Sequence, residues 1–282
     1  MAHWRPRRTI RLHSLLHGSH GTPVAAWKRQ PKQDLPRHLN DHWMLLHRHC
    51  ADHSSHLRLG RLLHRLNYHD PGVQESALAE LELATQLIRG GIRVTFLPES
   101  QARTADLECH LGSGRFFVEV TAMVGSVERR RLPLRGIMNE EDPGEETDHG
   151  VVLTHRILAR IRQKAKQLAD YCDPVILSIS IPRADLLGRR QGRREQIRVD
   201  LKALAGFVTV DLMKLRHLSA VLISLWDVEP LPSRGALRLA NVELIERAKH
   251  QRSQPRVRML IQNPAASAPL SESHDASIKQ ML

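Results

Sequence analysis

Two acidic residues in the stretch TADLECHLGSGRFFVEVTAM, residues 104–123, have the types and spacing that could do chemistry. Apolar and polar residues alternate on either side of Gly112 and Gly114, which is typical of two strands joined by a tight turn. Asp106 opens the first strand and Glu119 lies in the middle of the second. Two close carboxylates repel each other unless a cation lies between them. A Mg²⁺ ion held by such a pair can activate a water and stabilise charge on a phosphodiester.

The same pattern is also compatible with an ordinary hairpin whose two carboxylates are solvated and bind no ion. Side chains alternate between the faces of a strand, so Phe117, Glu119 and Thr121 share one face. Asp106 reaches Glu119 only if the register of the hairpin allows it. An unpaired charge inside the apolar run FFVEV is costly, and this favours a metal site over a solvated pair.

The elements around the hairpin predict an α/β domain with a mixed sheet flanked by helices. A helix is predicted for QESALAELELATQLIRGG, which has apolar residues at helical spacing and ends in two glycines. A strand is predicted for IRVTFL before the hairpin, and a helix over 151–172 is followed by the buried strand DPVILSISIP. Further along, the pattern predicts a strand in HLSAVLISLWD, a polar helix in NVELIERAKHQ and a strand in RVRMLIQNP.

The order of these elements, together with the acidic pair, resembles the PD-(D/E)XK nuclease superfamily, which has the restriction-endonuclease-like fold. The resemblance rests on ELELATQLIRGG, IRVTFLP, ADLE and FFVEVT in that order, followed by RIRQKAKQL and PVILSISI. It covers residues 75–182 and, more weakly, 183–270. It implies a nuclease that uses Mg²⁺ or Mn²⁺ to hydrolyse phosphodiesters in nucleic acid. The alternatives are an inactive member of that fold that binds nucleic acid or a protein, and an unrelated α/β binding module.

The resemblance implies a metal site formed by Glu80, Asp106 and Glu119, with Glu82 as the alternative acid on the first helix. The sequence departs from the family pattern two residues after Glu119, where Thr121 replaces the motif lysine. A lysine there would orient the attacking water and stabilise developing negative charge, whereas a threonine hydroxyl carries no charge.

The missing positive charge has two candidate replacements on the following predicted helix. Lys164 is the better candidate, and Lys166 lies on a different side of the helix. In a simpler interpretation, both lysines are solvated charges on an amphipathic helix. The candidate catalytic residues are therefore Asp106, Glu119, Thr121 and Lys164.

Residues 1–70 differ in composition from the rest of the chain. They contain 12 Lys or Arg, 4 Asp or Glu and 12 of the 18 histidines, which gives them a net charge of +8 out of +12. We predict that this segment is largely disordered or weakly helical, that the α/β domain spans 71–270, and that 271–282 form a flexible tail. The composition of this segment would also be explained if translation had been assigned from an upstream start codon, with Met44 as a conceivable later start.

A histidine cluster in this segment is a second candidate metal site. It contains His47, His49, Cys50, His53 and His56 within the ten residues HRHCADHSSH. Helical spacing of its members would suit zinc. Where histidines are this frequent, chance clustering is the simpler explanation.

The remaining features concern compartment and partners. Three widely spaced cysteines without a CxxC motif are expected to be reduced thiols of a cytoplasmic protein. No apolar run reaches the roughly 18 residues that a membrane span needs, so no membrane association is expected. The basic charge favours polyanions, and we expect nucleic acid, DNA rather than RNA, as the partner. The basic patches at 128–131 and 188–195 could contact phosphates or could be exposed loops.

Overall fold

The computed structural model describes residues 37–50, 52–68, 70–98, 105–123, 149–181, 197–226, 228–232, 239–248 and 254–282. The helices are α1 (Arg37–His49), α2 (His53–Arg65), α3 (Pro71–Arg89), α4 (His149–Ala165), α5 (Leu201–Lys214) and α6 (Glu272–Met281). The strands are β1 (Arg93–Phe96), β2 (Leu107–Leu111), β3 (Gly114–Ala122), β4 (Val175–Ile181), β5 (Ile197–Val199), β6 (Ala220–Leu225), β7 (Val228–Pro230), β8 (Val242–Glu246) and β9 (Val257–Gln262). Both basic patches and residues 1–36 lie outside the described residues.

Seven strands form one mixed sheet in the order β1-β2-β3-β4-β6-β9-β8. The central strands β3, β4 and β6 are parallel, and the strands on both sides of them pair antiparallel. Strands β5 and β7 form a separate parallel pair. A mixed sheet with helical cover is the α/β architecture that the sequence predicted.

Helices cover both faces of this sheet, so the core has two layers. One layer packs α4 and α5 against the sheet through residues such as Ile157, Ile161, Leu204 and Val208. The other packs α1, α2, α3 and α6 against the opposite face, through residues such as Leu46, Leu59, Leu62, Leu87 and Ile278. Because β3 is central, its alternating side chains point into different layers: Phe117 belongs to the first and Phe116 to the second.

The first predicted elements are confirmed, and local chemistry explains their ends. The Asp70 side chain accepts a hydrogen bond from Gly72 N at 2.7 Å, so it caps α3, and Pro71 occupies the first turn. At the other end Gly91 has φ 80°, the left-handed conformation in which a C′ glycine ends a helix. Gly112 has φ 60° in the β2–β3 turn.

The predicted domain limits of 71 and 270 are too narrow. Trp43 and Leu46 of α1 and Leu59 of α2 are buried in the same core as α3. The segment before residue 71 therefore contributes two helices to the domain. At the other end, residues 271–282 are not a tail within this structure, since α6 buries Ile278 against the sheet.

Between β4 and the end of the chain, the structure differs from the sequence prediction at two elements. The predicted polar helix in NVELIERAKHQ is wrong, because Val242–Glu246 form the edge strand β8. The helix α5 was not predicted, and it covers the α4 side of the sheet between β4 and β6. Among the described residues, no helix is long and apolar enough to cross a membrane.

Candidate active site

Asp106 and Glu119 lie opposite each other at the end of the β2–β3 hairpin. Leu107 pairs with Val118, and continuing this register by one residue places Asp106 across from Glu119. The backbone N–H of Asp106 donates to Val118 O at 3.0 Å, and a hydrogen bond joins the side chains of Asp106 and Glu119. The structure therefore brings together the two acids that the sequence singled out.

Proximity of the two carboxyl groups affects the ionisation of Glu119. Burial is the main cause that raises the pKa of Glu119 to about 7, and the negative charge of Asp106 raises it further. A hydrogen bond with Asp106 acts in the same direction, while the ammonium of Lys164 opposes these effects. Repulsion between close acids is the condition that a bound cation would relieve.

Lys164 supplies a positive charge at this pair. Its Nζ lies 2.6 Å from Glu119 Oε1, and the side chains are 20% and 7% exposed. Lys164 is in the last turn of α4, where buried Ile161 and Ala165 hold the helix against the sheet. The alternative candidate, Lys166, follows the end of α4 and is exposed. The structure thus places an ammonium beside Glu119 from a helix, where the sequence has no lysine on the strand.

Thr121 follows Glu119 on the same face of β3 and is buried at 6% exposure. It pairs with Ile179 of the neighbouring strand β4. Since a hydroxyl carries no charge, Thr121 cannot replace an ammonium, and the ammonium in the described site is that of Lys164 beside Glu119.

Glu80 of α3 faces two arginines from α2. Arg58 Nη2 donates to Glu80 Oε2 at 2.8 Å, and Arg65 Nη1 donates to Glu80 Oε1 at 3.1 Å. Burial, followed by the charge of Asp106, raises the pKa of Glu80 to about 7, although both arginines favour its ionised form. The alternative acid, Glu82, acts on Arg258: burial, followed by the charge of Arg247, lowers the pKa of Arg258 to about 10, and the negative charge of Glu82 opposes this. Of the two helix acids, Glu80 is the one that belongs to this cluster.

The same Arg58 atom also binds Asp106. Nη2 lies 2.8 Å from Asp106 Oδ1, so one guanidinium nitrogen joins Glu80 to Asp106. The other carboxylate oxygen, Oδ2, accepts a hydrogen bond from Val120 N at 2.8 Å. Asp106 therefore lies between two groups: Glu119 with Lys164 on one side, and Arg58 with Glu80 on the other.

Sequence reasoning missed Arg58 and Arg65. A hydrogen bond from Phe96 N to Ser55 Oγ, at 2.8 Å, fastens α2 to β1 and so sets the position of Arg58 one turn later. The pattern held a clue: Arg58 and Arg65 are spaced i, i+7 on the helix face that buries Leu62. A basic residue on the apolar face of a helix needs an acidic partner, and here the partner is Glu80.

The histidine cluster is arranged differently from a chelating site. His47 and His56 stack with ring centroids 5.2 Å apart, and His47 also contacts Trp43. Among the described residues, no group of three or more His, Cys, Asp or Glu side chains is arranged to hold a metal ion. That statement covers both this cluster and the three acids Glu80, Asp106 and Glu119.

Two carboxylates remain as candidate ligands, and their chemistry suits a hard divalent ion. Mg²⁺ usually keeps several waters and takes only one or two carboxylates from a protein. Asp106 and Glu119 offer that number of hard oxygen donors. No family model, curated protein or solved structure matches this chain. The arguments for function therefore rest on this geometry.

Proposed function

We propose that this chain is a divalent-metal-dependent nuclease-like protein of the restriction-endonuclease-like fold, which hydrolyses phosphodiesters in nucleic acid. The observation that carries the proposal is the ammonium of Lys164 at 2.6 Å from Glu119, which itself lies across the hairpin from Asp106. An ammonium then lies beside the two acids at the end of the hairpin, although it comes from α4 rather than from β3.

Each residue has a separate part in the proposed reaction. Asp106 and Glu119 would hold the ion, and Mg²⁺ or Mn²⁺, when bound, supplies an activated water and stabilises charge on the phosphate. Lys164 would orient the attacking water and stabilise the negative charge that develops in the transition state. Thr121 lies on the same strand face as Glu119, and Glu80 accepts hydrogen bonds from Arg58 and Arg65.

Nucleic acid is the proposed substrate because the chain carries a formal net charge of +12. Excess positive charge attracts polyanions and makes their binding weaken with salt. DNA remains the favoured partner, with RNA as the alternative.

The test is cleavage by the full chain. Plasmid DNA, single-stranded DNA and RNA are incubated with Mg²⁺ or Mn²⁺ and either wild type, Asp106→Asn or Glu119→Gln. We expect divalent-dependent cleavage that both substitutions abolish. Glu108→Gln is the matched control, because Glu108 lies on β2 of the same hairpin and contacts His110 and Arg115 instead. Cleavage that survives both site substitutions would contradict the proposal.

One observation favours a second function, that of an inactive nuclease-fold protein which binds nucleic acid or a protein partner. Arg58 already compensates the charge of Asp106 and Glu80, so these acids are stable without a metal ion. This function predicts salt-sensitive binding of labelled DNA, measured by fluorescence anisotropy, that Asp106→Asn leaves intact. It also predicts no cleavage with any divalent ion.

A further inference from the structure

We propose that Arg58 is a built-in competitor for the divalent ion: it holds Asp106 when no ion is bound, and ion binding has to release it. This inference rests on the proposed function, since it concerns how the same site is loaded. It assigns a role to Arg58 of α2, a residue that was not among the candidate site residues of the sequence analysis.

The geometry of one nitrogen atom is the first argument. Arg58 Nη2 lies 2.8 Å from both Glu80 Oε2 and Asp106 Oδ1. It is thus placed as a cation between two acids, which is also the position that favours a metal ion. Asp106 Oδ2 is already bound by Val120 N. An ion that coordinates the carboxylate of Asp106 therefore competes with Arg58 for Oδ1.

Burial is the second argument. The side chains of Arg58 and Glu80 are 5% and 2% exposed, whereas that of Asp106 is 16% exposed. Arg58 is too buried to receive a nucleic acid phosphate without moving, and a role in substrate binding is not supported. Its contact with the most exposed of the three groups, Asp106, is the one that an incoming ion can replace.

Glu80 has a corresponding role as the anchor of Arg58. Both of its oxygens accept from arginines, Oε2 from Arg58 and Oε1 from Arg65. When the ion takes Asp106, the guanidinium of Arg58 keeps Glu80 as its partner, so the buried charge stays compensated. Glu80 is therefore an arginine anchor rather than a metal ligand, and the ion is held by Asp106 and Glu119.

The test measures Mn²⁺ binding to the full-length chain from the loss of the free-ion EPR signal. Arg58→Gln is expected to bind Mn²⁺ about tenfold more tightly than wild type, a factor typical of removing one competing charge-assisted hydrogen bond. Arg65→Gln is the matched control, because it removes a cation from Glu80 but leaves Arg58 between the two acids. We expect it to stay within about twofold of wild type.

A double variant guards against misfolding of the single one. Replacing Arg58 and Glu80 together with Gln removes both charges of the buried pair, so no buried charge is left without its partner. The double variant should bind Mn²⁺ as tightly as Arg58→Gln. Binding that drops below the wild-type level would show that Glu80 is a ligand and would overturn the anchor role.

A measurement on the wild-type chain gives an independent result. If ion binding releases Arg58 from Asp106, Mn²⁺ should speed hydrogen exchange in the peptide covering α2, His53–Arg65, and have no such effect in Glu119→Gln. Slower exchange in α2 on Mn²⁺ addition would contradict the competitor role, whatever the variants do.

The outcomes separate the two proposals. Mn²⁺ binding that Glu119→Gln abolishes but Arg58→Gln does not tighten removes the competitor role and leaves the proposed metal site intact. Absence of Mn²⁺ binding in wild type, Arg58→Gln and the double variant removes both. Mn²⁺ binding by Arg58→Gln but not by wild type supports the competitor role. It would also explain an inactive wild-type chain, since Arg58 would then keep the ion out of the site.

Discussion

Two cation–carboxylate contacts flank Asp106, and they differ in burial. On the α2 side, Arg58 and Glu80 are 5% and 2% exposed, and a second arginine, Arg65, completes the contact. On the α4 side, Lys164 is 20% exposed and binds Glu119 with a single ammonium. The buried contact of Arg58 and Arg65 with Glu80 has little freedom to rearrange, whereas a partly exposed ammonium can meet water and substrate. We therefore expect the first contact to contribute chiefly to stability, and the proposed function gives the second its part in the chemistry.

The largest expected effect is on folding, from Arg58→Met. Removing one partner of a buried ion pair leaves the other charge uncompensated, which costs about 3–5 kcal/mol in free energy of unfolding. Lys164→Met is the comparison and should cost less, on the order of 1 kcal/mol, because the Lys164 side chain is 20% exposed and binds one acid, whereas the buried Arg58 binds both Glu80 and Asp106. Urea denaturation at pH 6 measures both. Equal losses from the two variants would remove the distinction between the contacts.

The second prediction concerns catalysis by Lys164. If its ammonium stabilises charge in the transition state, Lys164→Met should lower kcat by about 10²–10³-fold while the chain stays folded. The control is Lys166→Met, which removes the neighbouring exposed lysine and should leave kcat within about twofold of wild type. A Lys164→Met variant with wild-type kcat would show that the contact with Glu119 is not catalytic.

How far the sequence predicts this site depends on whether the contact is local. The register of a short hairpin follows from alternation and its glycine turn, so Asp106 and Glu119 could be paired from the sequence. The sequence favours Lys164 over Lys166, but it could not show that Lys164 contacts Glu119, because that contact depends on how α4 packs on the sheet. Arg58 lies 48 residues from Asp106 along the chain. It was not predicted as a site residue, because the composition of the first 70 residues favoured disorder.

The fold shows the same limit. Strong periodicity predicted α3 and the central strands, but VELIE of β8 consists largely of helix-forming Glu and Leu. Its pairing with β9 overrides this preference. In α5, the β-branched run GFVTV favours a strand, and packing on the sheet through Leu204, Val208 and Leu212 produces a helix instead. Tertiary contacts decide both cases.

The third prediction is that the free energy of unfolding depends on pH because of the raised pKa values of Glu80 and Glu119. The pKa values of Glu80 and Glu119 are raised from 4.5 to about 7. Between these values the folded chain keeps protons that the unfolded chain has lost. The contribution of the two acids to the free energy of unfolding therefore falls as the pH rises from 4.5 to about 7, and it changes little above that.

The measurement for this prediction is a difference between variants. His56 and His274 have lowered pKa values, which change stability in the opposite direction over part of this range. Urea denaturation of wild type and Glu119→Gln at several pH values cancels that contribution. The variant should lose less stability than wild type between pH 5 and 7, about the window of the shifted acid. Parallel curves would mean that Glu119 titrates normally.

The smallest expected effect comes from Arg162→Met. This variant tests whether activity depends on the charge of Lys164 or on the position of the helix that carries it. Arg162 lies two residues before Lys164 and donates through Nε and Nη2 to Asp211 of α5, at 2.7 and 2.9 Å. The Arg162 side chain is 60% exposed, whereas that of Asp211 is 8% exposed. Because solvent screens an arginine this exposed, losing it should lower the free energy of unfolding less than losing the buried Arg58. Since buried apolar contacts already hold α4, losing this pair should change kcat by less than about threefold. A loss as large as that of Lys164→Met would mean that activity depends on the exact placement of α4, and it would remove the evidence that the ammonium itself is catalytic.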